Sequence, residues 1–120
     1  MREFSVFEYC YRDASNYESW GFLLMRGVAA SVEIEIMHSQ FDAGCYFIAE
    51  QLDIPPLYSQ LWAFSNGPTA DDHVWHTFHV LRPATAQDME TPVFCALKNL
   101  VKKVNAIETW DETLSPHWGL

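Results

Sequence analysis

Three of the five histidines of this 120-residue chain fall within seven residues, at His73, His76 and His79, directly behind the adjacent carboxylates Asp71 and Asp72. Imidazole and carboxylate are the donors of zinc sites and the partners of general acid/base chemistry. Which chemistry they support depends on the backbone that carries them. On a helix the three histidines fan over adjacent positions, Asp72 and His76 stand at an i, i+4 spacing, and one metal ion is within reach of the set. On a strand His73 and His79 share a face but lie about 20 Å apart, and His76 points the other way. Val74, Trp75, Thr77 and Phe78 favour the strand. A third geometry keeps Asp72 and His73 in the loop ahead of the strand, with His76 folding toward them. His38 or His117 must then complete the ligand shell. Asp72, His73 and His76 are thus weak metal candidates, and solvated or hydrogen-bonded histidines are the expected outcome.

Arg12-Asp13-Ala14-Ser15-Asn16-Tyr17 is the second segment with chemical potential. Asp13 and Asn16 close turns through their side-chain oxygens, and Arg12, one of few bases, is expected to find a carboxylate such as Asp72 or Glu50. A catalytic constellation, if there is one, draws on Arg12, Asp13, Asp72, His73 and His76. The competing expectation is a loop held by local hydrogen bonds. Cys10, Cys45 and Cys95 are odd in number, widely spaced and free of any C-x-x-C pair, which predicts reduced thiols. Cys45, in a bend after Gly44, is the most exposed in this reading. A cysteine nucleophile needs a base and an electropositive setting, and no motif supplies them. Dinucleotide, phosphate-loop, H-E-x-x-H and G-x-S-x-G motifs are absent, so no cofactor is expected.

The bulk properties narrow the functional classes. Sixteen acids against seven bases give a formal charge of −9, which disfavours nucleic acid and anionic membrane surfaces and favours a basic protein partner. Hydrophobic residues make up 49% and aromatics 15%, a composition that folds and leaves some aromatics for a contact surface. No apolar run has the length of a signal-peptide core or a membrane span, which predicts a cytoplasmic protein.

The elements that must position these residues read as follows. Residues 3 to 12 alternate as a strand, with Phe4, Val6, Glu8 and Cys10 on one face and Ser5, Phe7, Tyr9 and Tyr11 on the other. Trp20 to Arg26 is apolar on both faces, reads as a central strand, and pairs antiparallel with the first. Residues 31 to 41 carry both a strand alternation and a helical stripe of Val32, Ile36, Met37 and Phe41. Ser31 as N-cap and Gly44 as stop favour the helix. Tyr46 to Leu52 is a short helical or extended piece ended by Pro55-Pro56, and 73 to 82 is a strand ended by Pro83. A helix is predicted over 92 to 105, with Thr91 as cap and Pro92 in first position. Val93, Leu97, Leu100, Val101 and Val104 form its apolar face, with Lys98, Lys102 and Lys103 opposite. The Trp-containing tail from Trp110 is expected to pack back on the body or a partner.

Three segments carry a resemblance: Tyr11 to Tyr17, Phe47-Ile48-Ala49-Glu50-Gln51 with Ile54-Pro55, and Asp72-His73-Val74-Trp75-His76. In this order, with Trp110-Asp111-Glu112, they resemble a family of small uncharacterised bacterial proteins with no assigned activity. The resemblance implies a bacterial, intracellular, single-domain protein. It also sets His79 apart from Asp72, His73 and His76.

The expected fold is α+β: a single domain over residues 1 to 120 with a small antiparallel sheet and two or three helices packed on it. The expected function is a non-catalytic, acidic, cytoplasmic interaction module of the immunity or inhibitor kind, whose partner is a basic protein such as a toxin or nuclease; a homodimer is left open. The rival is a small hydrolase or metal-dependent enzyme using Asp72, His73 and His76 with Arg12.

Overall fold

The computed structural model describes residues 3–12, 18–57 and 74–114. Strand β1 (Phe4–Arg12) and strand β2 (Glu18–Arg26) form the expected antiparallel hairpin, with Phe4 opposite Arg26 and Arg12 opposite Glu18. Helix α1 (Ser31–Gln40) follows, then the short strand β3 (Tyr46–Ile48), a 3-10 turn (Ala49–Leu52) and strand β4 (Trp75–Pro83). A second 3-10 turn (Asp88–Glu90), strand β5 (Val93–Ala96), helix α2 (Leu97–Ala106) and a last 3-10 turn (Glu112–Leu114) complete the order. The five strands lie in one sheet in the order β3-β4-β1-β2-β5.

The α+β class holds, with two α-helices among the described residues, but the sheet is mixed. β5 runs parallel to β2, with Leu24 opposite Val93 and Met25 opposite Cys95. The expected helix over 92 to 105 therefore begins at Leu97, and Val93 and Cys95 belong to a strand. Val93-Phe94-Cys95 is β-branched, aromatic and at home on a pleated surface. It completes the hydrogen bonding of the β2 edge, a tertiary gain that the local Thr91-Pro92 helix signal does not contain. Strand β4 starts at Trp75, two residues later than expected. At α1 the N-cap is Ala30 and Ser31 is the first helical residue; Glu33 Oε1 accepts the Ala30 N–H at 2.8 Å. Tyr46 to Leu52 divides between strand and 3-10 turn.

Alternation along β1 decides where the core sits. Phe7, Tyr9 and Tyr11 are buried on the inner face, together with Met25 from β2, Phe47 from β3 and Phe78 from β4. Met37 and Phe41 of α1 and Leu97, Leu100 and Val104 of α2 close over them. Gly21 matters here: a Cβ at this position would stand 2.6 Å from the Tyr9 ring, so only glycine lets β2 pass that side chain. Gln40 Nε2 donates to the carbonyls of Asn105 at 3.0 Å and Ile107 at 3.2 Å, tying the end of α1 to the end of α2. Trp110 then packs on the same core, and its Nε1–H donates to Gln40 O at 2.9 Å; the expected packing of the tail beyond residue 114 lies outside the described residues.

Among the described residues, one end of the outer face is covered. Val6, Leu24 and Ala84 are buried there under Phe4 and Met89. Arg82 clamps this cover, bonding Glu8 from its Nε and Asp88 at 2.7 Å from Nη1. The Arg82 guanidinium, and after it the Thr85 N–H, holds the Asp88 carboxyl well below the usual carboxylate range.

Candidate functional site

His76 is carried by β4 opposite Phe47 and is completely buried. Its ring lies against Tyr11, Phe47 and Tyr9, with centroids 5.3, 5.9 and 6.1 Å away. The Leu57 N–H donates to His76 Nε2 at 2.9 Å. A nitrogen that accepts from an amide carries a lone pair, so the ring is neutral with its proton on Nδ1. That proton faces the Val74 carbonyl across a long 3.4 Å. Beside this contact Tyr9 Oη donates to Pro55 O at 2.6 Å, and burial pushes the Tyr9 phenol above its usual range. His76 and Tyr9 thus fasten the 54–57 segment onto the inner face, where Ile54 and Leu57 join the core. This is the chemistry of a buried hydrogen-bond acceptor that satisfies a backbone donor.

Arg12 stands one residue beyond Tyr11 and therefore on the opposite face of β1. Its guanidinium bonds Glu18 Oε1 at 2.7 Å, and Glu18 Oε2 accepts the Trp20 indole N–H at 3.1 Å. The carboxylate that sequence reasoning sought for Arg12 in Asp72 or Glu50 is, among the described residues, the cross-strand Glu18. Of the five candidates, then, Arg12 and His76 point to different sides of the sheet, while Asp13, Asp72 and His73 lie outside the described residues.

The strand geometry also separates the histidines. β4 pairs Phe78 with Tyr9 but Val80 with Glu8, so His79 is the extra residue of a β-bulge. It stands edge-on to Trp20 on the outer face, with centroids 5.3 Å apart, while His76 faces inward. His38 Nδ1 donates to Gly44 O at 2.8 Å and its ring meets the edge of Phe78. Among the described residues no group of three or more His, Cys, Asp or Glu side chains is placed to hold a metal ion. The three cysteines are unpaired with one another. Cys10 is buried, and desolvation, followed by the nearby Glu18, raises its thiol against the lowering effect of Arg12. Burial likewise raises Cys95, which lies in β5 and not in the helix. Neither environment activates a thiolate.

Sequence reasoning missed two features. One is the Arg82–Glu8–Asp88 clamp, in which Glu8 is distant in the chain and reaches Arg82 through the β1–β4 pairing, while Asp88 lies in the 3-10 turn just after β4. The other is the open aromatic surface around Trp20 and Phe22, which are 41% and 56% exposed. The alternation of Trp20 and Phe22 with Gly21 was the available signal, since a glycine on the inner face leaves the bulk of β2 outside. Comparison with protein-family models, with curated proteins and with solved structures finds no match to this chain.

Proposed function

We propose that this chain is a non-catalytic, acidic protein-interaction module that binds and neutralises a basic protein. The distribution of charge carries this reading. The five strands hold two acids, Glu8 and Glu18, and three bases, Arg12, Arg26 and Arg82; the other fourteen acids and four bases lie outside them. The acid excess thus lies outside the strands and outside the lysine-bearing α2, and it supplies a field that steers and selects a cationic partner. His76, on which the rival hydrolase or metal-dependent reading depends, has its Nε2 lone pair engaged by a backbone amide.

The experiment is co-expression with the products of adjacent genes. The expected result is a basic neighbour that arrests growth alone, is silenced by this chain, and forms a stoichiometric complex that weakens as salt rises. Neighbouring products that neither arrest growth nor bind this chain would contradict the proposal.

A further inference from the structure

We propose that the solvent-facing side of α1, with Val28 before it and Asp42 after it, is the docking surface for a cationic, amphipathic segment of the basic partner. This rests on the preceding reading and assigns its contact to one element.

The pattern of α1 is not that of a helix serving the core alone. Val32, Ile34 and Ile36 alternate with Glu33 and Glu35, so winding at 3.6 residues per turn spreads the apolar side chains around the helix instead of gathering them on one side. The core takes Met37 and, just past the helix end, Phe41. By contrast α2, of the same ten-residue length, buries Leu97, Leu100 and Val104. Val32 stays 58% exposed, and Val28, just ahead of the helix, 57%. A β-branched residue at a wet helical position gains no burial and is a poorer helix former than the long polar residues. Neither the helix nor the core gains from Val32; a molecule that covers it does. Val32, Glu35 and Ser39, at steps of three and four, make one exposed row. Beyond the helix the exposed Asp42 forms a bridge with Tyr46, whose ring is also exposed.

Charge complementarity identifies the occupant. Between Arg26 and Arg82 the chain carries seven acids and no lysine or arginine. Elsewhere Glu18 is paired with Arg12, and Glu8 and Asp88 with Arg82; Asp53 is paired with Lys103. Glu33 accepts the Ala30 N–H. Among the described residues no lysine or arginine pairs with Glu35 or Asp42. These two carboxylates therefore keep their charge beside exposed apolar side chains. Lysines or arginines of a docked segment neutralise them, while its apolar side chains cover Val28 and Val32. A second copy of this chain presents like charge, and a purely apolar segment strips the carboxylates of water without pairing them.

The test is an amide-shift titration of the 15N-labelled whole chain with two probes. One is a helical peptide with a lysine face and a leucine face; the other is polylysine of the same charge. The amphipathic peptide should bind more tightly than polylysine, move amides of residues 28 to 42, and weaken as salt rises. Glu35→Lys should lower its affinity about fivefold. Glu90→Lys, the same charge change at an exposed acid in the second 3-10 turn, should change it less than about twofold. Val32→Ser should remove the advantage of the amphipathic peptide over polylysine. Unchanged melting temperatures will show that the three variants keep the fold. Shifts gathered on another face, or Glu90→Lys as damaging as Glu35→Lys, overturn the α1 surface and leave the acidic-module reading standing. An advantage that survives in Val32→Ser overturns the surface as well. If neither probe binds at low salt, both proposals fail.

Discussion

A residue's chemistry here follows from which side of the sheet it occupies. His76 faces inward and acts as an acceptor for Leu57; Arg12 faces outward and is paired with Glu18. Asp88 shows how a single ionised group contributes to the fold. Arg82 and Thr85 donate to its carboxylate, and its acidity is raised as a result. A carboxyl with a depressed folded-state pKa gives stability that is fully present above its unfolded value of about 3.9 and is lost as pH falls through the folded value. Asp88→Asn should therefore be less stable than the parent at neutral pH. The gap between the two should close on acidification below about pH 4. Thermal melts across that range check this, and a gap independent of pH would show that the ionised carboxylate is not its source.

At the scale of elements, α2 carries the clearest contrast. Leu97, Leu100 and Val104 are buried, whereas Lys98, Lys102 and Lys103 are exposed. Leu97→Ala in this packed core should cost about 2–5 kcal/mol. Lys102→Ala should cost less than about 0.5 kcal/mol. Denaturant melts of the two variants measure the difference, and equal losses would mean that the helix faces the other way. Helical spacing made this face readable in sequence, as the alternation of Phe7, Tyr9 and Tyr11 made the inner face of β1 readable. The start of α2 was not readable, because Val93 and Leu97 share a helical stripe as well as they share a strand and a helix. What separates them is the parallel pairing with β2, a contact between residues about seventy positions apart. The histidine cluster divided in the same way. Strand propensity placed His76 and His79 on opposite sides, but the Leu57 amide that claims His76 Nε2 is a loop contact that no spacing rule contains.

Across the described residues, the main core fills the inner face of the sheet, the acid excess lies outside the strands, and Trp20 and Phe22 stand exposed on the outer face. The function proposed above is association, in which a basic partner would meet the acid excess. At the centre of this reading stands His76, built into the core as the acceptor of the Leu57 amide. Because side chains alternate along a strand, the facing of His76 reports the facing of β4 up to the bulge at His79, and through the register that of its β3 and β1 neighbours. The most direct measurement is the tautomer of His76 at neutral pH, read from long-range 1H–15N correlations of the imidazole together with hydrogen exchange at the Leu57 amide. The account predicts a ring with its proton on Nδ1, an unprotonated Nε2, and a Leu57 N–H protected from exchange as part of the core. A proton on Nε2, with a Leu57 amide that exchanges as freely as an exposed loop, would contradict it and return His76 to the acid/base or metal-binding role.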